Sequence, residues 1–189
     1  MKTRTLIMAV LFTAALSAFK MAPNATYNID TKNSTLKWTG YHLAKSYEHT
    51  GTISIKSGSI ELKKDVLKGG EIVIDMNTIS NSDLTDAGKK AKLEGHLKSE
   101  DFFGVEKFPE AKIVIKSATK TSIKADLTIR GITKPIEFDY TVSNKSGQVT
   151  FNATLMVPRT DFEVMYGWKA ENAILSGEFK LDVELKASK

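Results

Sequence analysis

From Tyr27 to Leu185, apolar and polar side chains alternate with a period of two in runs separated by turn residues, the mark of half-buried strands. Leu36 and Trp38 alternate with Lys37 and Thr39. Ile53 and Ile55 are set against Ile60 and Leu62 across Ser57-Gly58, which reads as a short hairpin turn. Ile72, Ile74 and Met76 share a face opposite Glu71 and Asp75, and Ile113 and Ile115 stand between Lys112 and Lys116. Further runs are Ile123, Ala125, Leu127, Ile129; then Ile136, Phe138, Tyr140, Val142; then Val149 to Val157 after an Asn144-Lys145-Ser146-Gly147 turn; and finally Phe179, Leu181, Val183, Leu185. Strands with one apolar and one polar face form an antiparallel sheet with one wet side. A sheet this long buries its apolar face by closing into a barrel or folding into a sandwich. Closure also removes exposed edges, so the pattern favours a closed or nearly closed barrel, with a sandwich still open on periodicity alone.

Two stretches break the alternation. Over Ser82 to Leu97 the spacing of Leu84, Ala87, Ala91, Leu93 and Leu97 predicts a short helix, weakened by Gly88 and Gly95. His96 to Ala111 then packs three Phe and a Val among charges and is broken by Gly104 and Pro109. It is too apolar for a solvated loop and too irregular for a helix face. It reads either as a plug for one end of the barrel, the commoner use of apolar runs, or as the rim of an apolar cavity.

The first residues follow a different logic. Lys2 and Arg4 precede an apolar run from Leu6 to Leu16, and Ala14, Ala15, Ser17 and Ala18 supply small residues, the order of a secretory signal over residues 1–18. The run is too short to span a bilayer, which takes roughly 20 apolar residues. Cleavage after Ser17 fits slightly better than after Ala18. The mature protein is therefore expected outside the cytoplasm, in the periplasm or the extracellular medium. The chain has no Cys, so disulfides, a thiolate nucleophile and Cys-based zinc sites are excluded. The net charge of +5 falls by two with Lys2 and Arg4, and the remaining excess is spread out. That argues against a nucleic-acid partner and allows at most transient membrane contact.

Candidate chemistry is sparse. His42 and His49 lie near Glu48, a set that could hold zinc, although the spacing matches no metal motif. His96 ends the helical stretch, where it could cap carbonyls. Glu100 and Asp101 are adjacent and read as solvated, and Arg159 with Asp161 reads as a structural ion pair. No nucleophile elbow and no phosphate-cradling glycine loop are present. No catalytic residue, metal site or cofactor is expected.

Three segments together resemble the YceI family of exported, lipocalin-like, polyisoprenoid-binding proteins. They are His96-Leu97-Lys98-Ser99-Glu100-Asp101-Phe102-Phe103 running into Glu106-Lys107-Phe108-Pro109-Glu110-Ala111; Ala125-Asp126-Leu127-Thr128-Ile129-Arg130-Gly131-Ile132-Thr133-Lys134-Pro135-Ile136; and Tyr27-Asn28-Ile29-Asp30 with Leu36-Lys37-Trp38-Thr39-Gly40. Arg159-Thr160-Asp161-Phe162, followed by Tyr166-Gly167, is similar to the family's late Arg-centred motif. The likeness spans Tyr27 to Leu185. Three places depart from the pattern: Tyr41 to His49, Glu163 where many members have Gly, and the short link from Gly167 to Ala173, which carries Trp168.

The resemblance implies an all-β fold, an extended antiparallel lipocalin-like barrel of about eight strands with a short helical excursion, over residues 27–187. A barrel of this size can hold one small ligand. It further implies an isoprenoid or other long-chain lipid in the interior, held without cofactor or catalysis, by a carrier or reservoir for which a homodimer is compatible. The side chains expected to line the interior are Trp38, Ile53, Ile55, Ile72, Ile74, Ile113, Ile115, Leu127, Phe138, Tyr140, Phe151 and Leu155, with Phe102, Phe103 and Phe108 shaping the rim. The alternatives are a barrel with a filled core that acts through its surface as an interaction module and, further off, an enzyme using His42, His49 or His96.

Overall fold

The computed structural model describes residues 24–43, 46–166 and 173–189. The expected signal segment and Trp168 lie outside the described residues. The period-two runs become nine strands: β1 (Ala25–Ile29), β2 (Thr35–His42), β3 (Glu48–Lys63), β4 (Val66–Asn81), β5 (Glu110–Ala118), β6 (Ser122–Ile129), β7 (Ile132–Lys145), β8 (Gln148–Pro158) and β9 (Leu175–Ser188). A helix, α1 (Ala87–Lys98), stands between β4 and β5, and a 3-10 turn, Arg159–Phe162, follows β8. Strands β2 to β9 pair antiparallel in sequence order, and β9 returns to β2, so eight strands close a barrel. β1 is the extra strand. It pairs with β3 and β9 beyond the end of β2, and the Asp30 carboxylate, accepting from Lys32 and Asn33, turns the chain between the two.

Ser57-Gly58 is not a hairpin turn. Both residues lie inside β3, opposite Val73 and Ile72. The pairs Ile55–Ile74 and Ser57–Val73 leave Lys56 with no opposite number, which is a β-bulge. The extra residue moves the inward parity from Ile53 and Ile55 to Ile60 and Leu62 without reversing the chain. Gly58 serves close approach instead, since a Cβ there would meet the Glu71 carbonyl oxygen at 2.7 Å and Ile29 Cδ1 at 2.8 Å. The reversal comes later, at Lys64-Asp65, with φ of 50° and 60°, the positive pair of a two-residue hairpin turn.

Ile113 and Ile115 point inward, while Lys112 and Lys116 point out to Glu71 and Asp126. The Lys64-Asp65 turn, the short β5–β6 connection and the Ser146-Gly147 turn share one end of the barrel with β1. There Tyr27, Ile60, Leu62, Leu67, Ile123, Val149 and Leu185 are buried to 5% exposure or less. The Tyr140 and Phe151 rings stack at 5.5 Å, and the Tyr140 hydroxyl donates to the Thr119 carbonyl. That end is filled. β7 pairs with β8 only over Tyr140–Lys145. Beyond it the 3-10 turn packs against β7 and buries Phe162.

Candidate ligand-binding site

The opposite end is covered by α1 and the loop after it. The helix starts where the Asp86 carboxylate accepts from the Lys89 amide at 2.8 Å, an N-cap. It is tied to β4 through Glu94, which accepts from the Asn81 amide at 2.7 Å and the Ser80 hydroxyl at 2.9 Å. These donors hold the Glu94 carboxyl below its ordinary range. Asp83 braces the same corner. Burial works against its charge, but the Thr50 amide, His49 and Asn81 donate to it and keep its carboxyl low as well. Leu93 and Leu97 turn down onto the barrel.

The loop from Ser99 to Pro109 coils on itself. The amides of Phe103, Gly104 and Val105 donate to the carbonyls of Leu97, Ser99 and Lys98. Its latch is Arg130, in the β6–β7 turn. The guanidinium donates to the Glu100 carbonyl at 2.7 Å and to that of Phe102, and lies over the Phe108 ring. Two of the segments singled out in the sequence are thus one physical unit. Phe102 and Phe103 are turned inward by this fold, with ring centroids 5.1 Å apart, whereas Phe108 packs outside, against Gly131.

Beneath this cover lies a cavity of about 270 Å³. Trp38 forms one wall. Its ring lies over Gly51, where a Cβ would fall 2.6 Å from the indole and 1.8 Å from the Ser80 carbonyl oxygen. The indole N–H donates to that same carbonyl at 3.2 Å. Ile53, Ile74, Phe102, Phe103 and Leu127 complete the predicted lining that the fold brings together. Ile55, Ile72, Ile113, Ile115, Tyr140, Phe151 and Leu155 are buried but sit in the packed remainder of the barrel, and Phe138 is half-buried on β7. The loop is plug and rim at once: Phe102 and Phe103 wall the cavity while Val105 is buried at 7% exposure.

Sequence reasoning missed several lining residues. Met76, Ile129, Phe179 and Leu181 stood in the alternating runs, but nothing local marked their height along the barrel. Ala111, Ile79, Leu93 and Leu97 also contribute. More telling is the polar side. His42, His49 and His96, all the histidines of the chain, line this one cavity with Tyr41, Tyr166, Arg159 and Glu178. The Tyr47 ring stands edge-on between His42 and His49, and His96 stacks on Tyr166 at 3.9 Å. His49 Nδ1 is 2.8 Å from Asp83. The described bonds of the buried Arg159 guanidinium run to the carbonyls of Ser176 and Val164, at 2.7 Å each, and not to the exposed Asp161 as expected. Burial draws its pKa below the usual arginine value. Among the described residues no group of three or more His, Cys, Asp or Glu is placed to hold a metal ion, and no helix is long and apolar enough to cross a membrane. The arrangement provides an apolar chamber with aromatic and imidazole groups at its mouth, suited to a molecule with an apolar tail and a polar head.

Known proteins match over the same span. A UPF0312 protein of Pseudomonas putida is 30% identical, covering 87% of this chain and 88% of its own. A UPF0312 protein of Shewanella denitrificans is 27% identical over 97% of both chains. The crystal structure of Burkholderia cenocepacia BcnA superposes with a TM-score of 0.69 at 18% identity, covering 85% of this chain and 99% of that one. A polyisoprenoid binding domain from Saccharophagus degradans gives 0.64 at 15% identity, covering 86% and 97%. The YceI-like domain model matches residues 27–187, and the chain belongs to that family.

Proposed function

We propose that the protein is an exported lipid-binding protein that holds the apolar tail of an isoprenoid or similar lipid inside the barrel, as carrier or reservoir, without catalysis or cofactor. The observation that carries this reading is the apolar cavity walled by Trp38, Ile53, Ile74, Phe102, Phe103 and Leu127. The polyisoprenoid binding named for the Saccharophagus degradans domain of the same fold supports it, as does the signal-like order of residues 1–18.

The test is mass spectrometry of an organic extract of the purified full-length product, with intact-mass analysis of the protein. An isoprenoid or other apolar-chain lipid at near-stoichiometric amount is expected, on a chain that starts between Phe19 and Thr26. Replacing Trp168 by Phe leaves Trp38 as the sole indole, in the cavity wall, and its fluorescence should respond to added geraniol. A lipid-free extract together with an unresponsive Trp38 would overturn the reading.

A further inference from the structure

We propose that the rim of the cavity mouth is a membrane-docking surface, which seats on a neutral phospholipid bilayer so that an apolar tail passes from lipid into the barrel without crossing water. This rests on the lipid-binding reading and specifies where the ligand is taken up. The first observation is where apolar surface is exposed. Among the described residues five large apolar side chains stand between 43% and 54% exposed: Leu43, Tyr47, Met156, Met165 and Ile174. Scattered singly, such residues are ordinary. Here four of the five adjoin residues that line the cavity. Leu43 follows His42, Met165 precedes Tyr166, Ile174 precedes Leu175, and the Tyr47 ring stands between His42 and His49. Of the five, only Met156, on the outward face of β8, is elsewhere.

The second observation is that the rim projects. β4 ends at Asn81, opposite Gly51, whose other partner is Trp38. β2 and β3 continue past that level through the pairs Thr39–Thr50, Gly40–His49 and Tyr41–Glu48, and the His42 amide donates to the Tyr47 carbonyl. At about 3.3 Å per residue, Leu43 stands roughly 15 Å along the strand beyond the end of β4. β9 accompanies the hairpin, with Leu175 opposite His42 and the Leu43 amide bonded to the Ile174 carbonyl at 2.8 Å. A hairpin end that meets only water is ordinarily polar. This one carries Leu43 and Tyr47.

The third observation is charge. The described ionisable groups against the hairpin end are answered within the fold. His49 Nδ1 lies 2.8 Å from Asp83, and Lys180 lies 2.9 Å from Asp182. Glu48 adds to the field that raises the Lys180 pKa. No surplus of cations is left to select an acidic lipid, which suits a zwitterionic surface. Aliphatic tips beside a tyrosine ring match the membrane–water boundary, where such rings sit at headgroup level. A second copy of the chain is the poorer fit. Four half-exposed side chains fall well short of the about 800 Å² per partner that a standard interface takes, and a docked copy would stopper the mouth.

The experiment floats the purified protein with phosphatidylcholine vesicles through a density gradient. Binding is expected, and it should change by less than about twofold between about 0.1 and about 0.5 M salt, since apolar burial and not charge drives it. Leu43→Ser combined with Ile174→Ser should weaken it about tenfold or more, and Met165→Ser about threefold, with unchanged thermal transitions. Met156→Ser should leave it unchanged. Tail binding is read separately. In the Trp168→Phe background the double variant should bind geraniol from free solution with undiminished affinity, followed by Trp38 fluorescence.

No flotation, loss of flotation at the higher salt, or equal losses from Met156→Ser and the double variant would overturn the docking and leave the lipid-binding reading standing. Weaker geraniol binding in the double variant would assign these residues to the tail site and likewise overturn it. So would a dimer in sedimentation velocity that the double variant dissolves, since the occupant would then be a second copy. A Trp38 silent in the parent would overturn both, because a rim with no tail to receive serves no uptake. Should the double variant not fold, Met165→Ser against Met156→Ser decides.

Discussion

The two ends of this barrel are built from the same strands with the same alternation, yet one is filled and the other hollow. β6 shows it within eight residues: Ile123 sits in the packed end, whereas Leu127 and Ile129 face the cavity. What differs is the connections. At the filled end two-residue turns, Lys64-Asp65 and Ser146-Gly147, keep strands paired to their last residue, so facing side chains meet and interdigitate. At the hollow end the Arg130-Gly131 turn is equally tight, but the chain leaves the sheet between Asn81 and Glu110 and again after Pro158. A helix and a latched loop roof the space there, at a distance that strand side chains do not span. The cavity is a property of the roof more than of the walls.

Substitutions test this contrast, beginning with the strongest. Ile115→Asp places an unpaired charge in the packed region and should leave little folded protein at ambient temperature, as read by circular dichroism. Gly51→Ala forces a Cβ into the Ser80 carbonyl and the Trp38 ring. It should cost several kcal/mol, roughly 3 or more, and displace Trp38, seen as a shifted emission maximum. Leu67→Ala, at 0% exposure in the filled end, should cost about 3–4 kcal/mol in urea unfolding, because the void it leaves is new. Met76→Ala beside the existing cavity should cost about 1–2 kcal/mol, because its side chain already has empty space on one side. Equal costs would erase the contrast between the ends.

Acid should act on the roof. Asp83 and Glu94 have carboxyls held below their ordinary values of 3.8 and 4.5. Their contribution is whole above those values and is lost as pH falls through the lower folded ones. The midpoint of thermal unfolding should therefore decline below about pH 4.5, and Glu94→Gln should flatten that decline. A pH-independent midpoint between 3 and 6 would contradict the bracing role.

The smallest effects concern surface and backbone. Glu163 holds a left-handed conformation, φ 54°, at the position where the family resemblance places Gly. Glu163→Gly should raise stability by about 0.5–1 kcal/mol by removing Cβ strain. Lys116→Asp exchanges an exposed pair with Asp126 and should stay within about 0.5 kcal/mol of neutral.

The alternation of Val149 to Val157, or of Ile123 to Ile129, was readable because which face a side chain takes on a strand is a local property with period two. An even break in that pattern is ambiguous. A turn at Ser57-Gly58 and a bulge at Lys56 produce the same shift of parity, and only the pairing of β3 with β4, a non-local matter, selects the bulge. The cover segment was also legible as special, since three Phe among charges with Gly104 and Pro109 fit neither strand nor helix. Its position was not, because the Arg130 latch comes from another hairpin. The tertiary structure likewise decided the cavity. Ile53 and Ile55 are two positions apart on one strand and chemically identical, and one lines empty space while the other is packed. The convergence of His42, His49 and His96 on one mouth was equally invisible along the chain. Sequence alone determined which side chains leave water, because burial follows from hydrophobicity and strand period. Where those side chains meet and where they leave a void depends on how far apart the connections hold the strand ends, and that distance exists only once the barrel has closed.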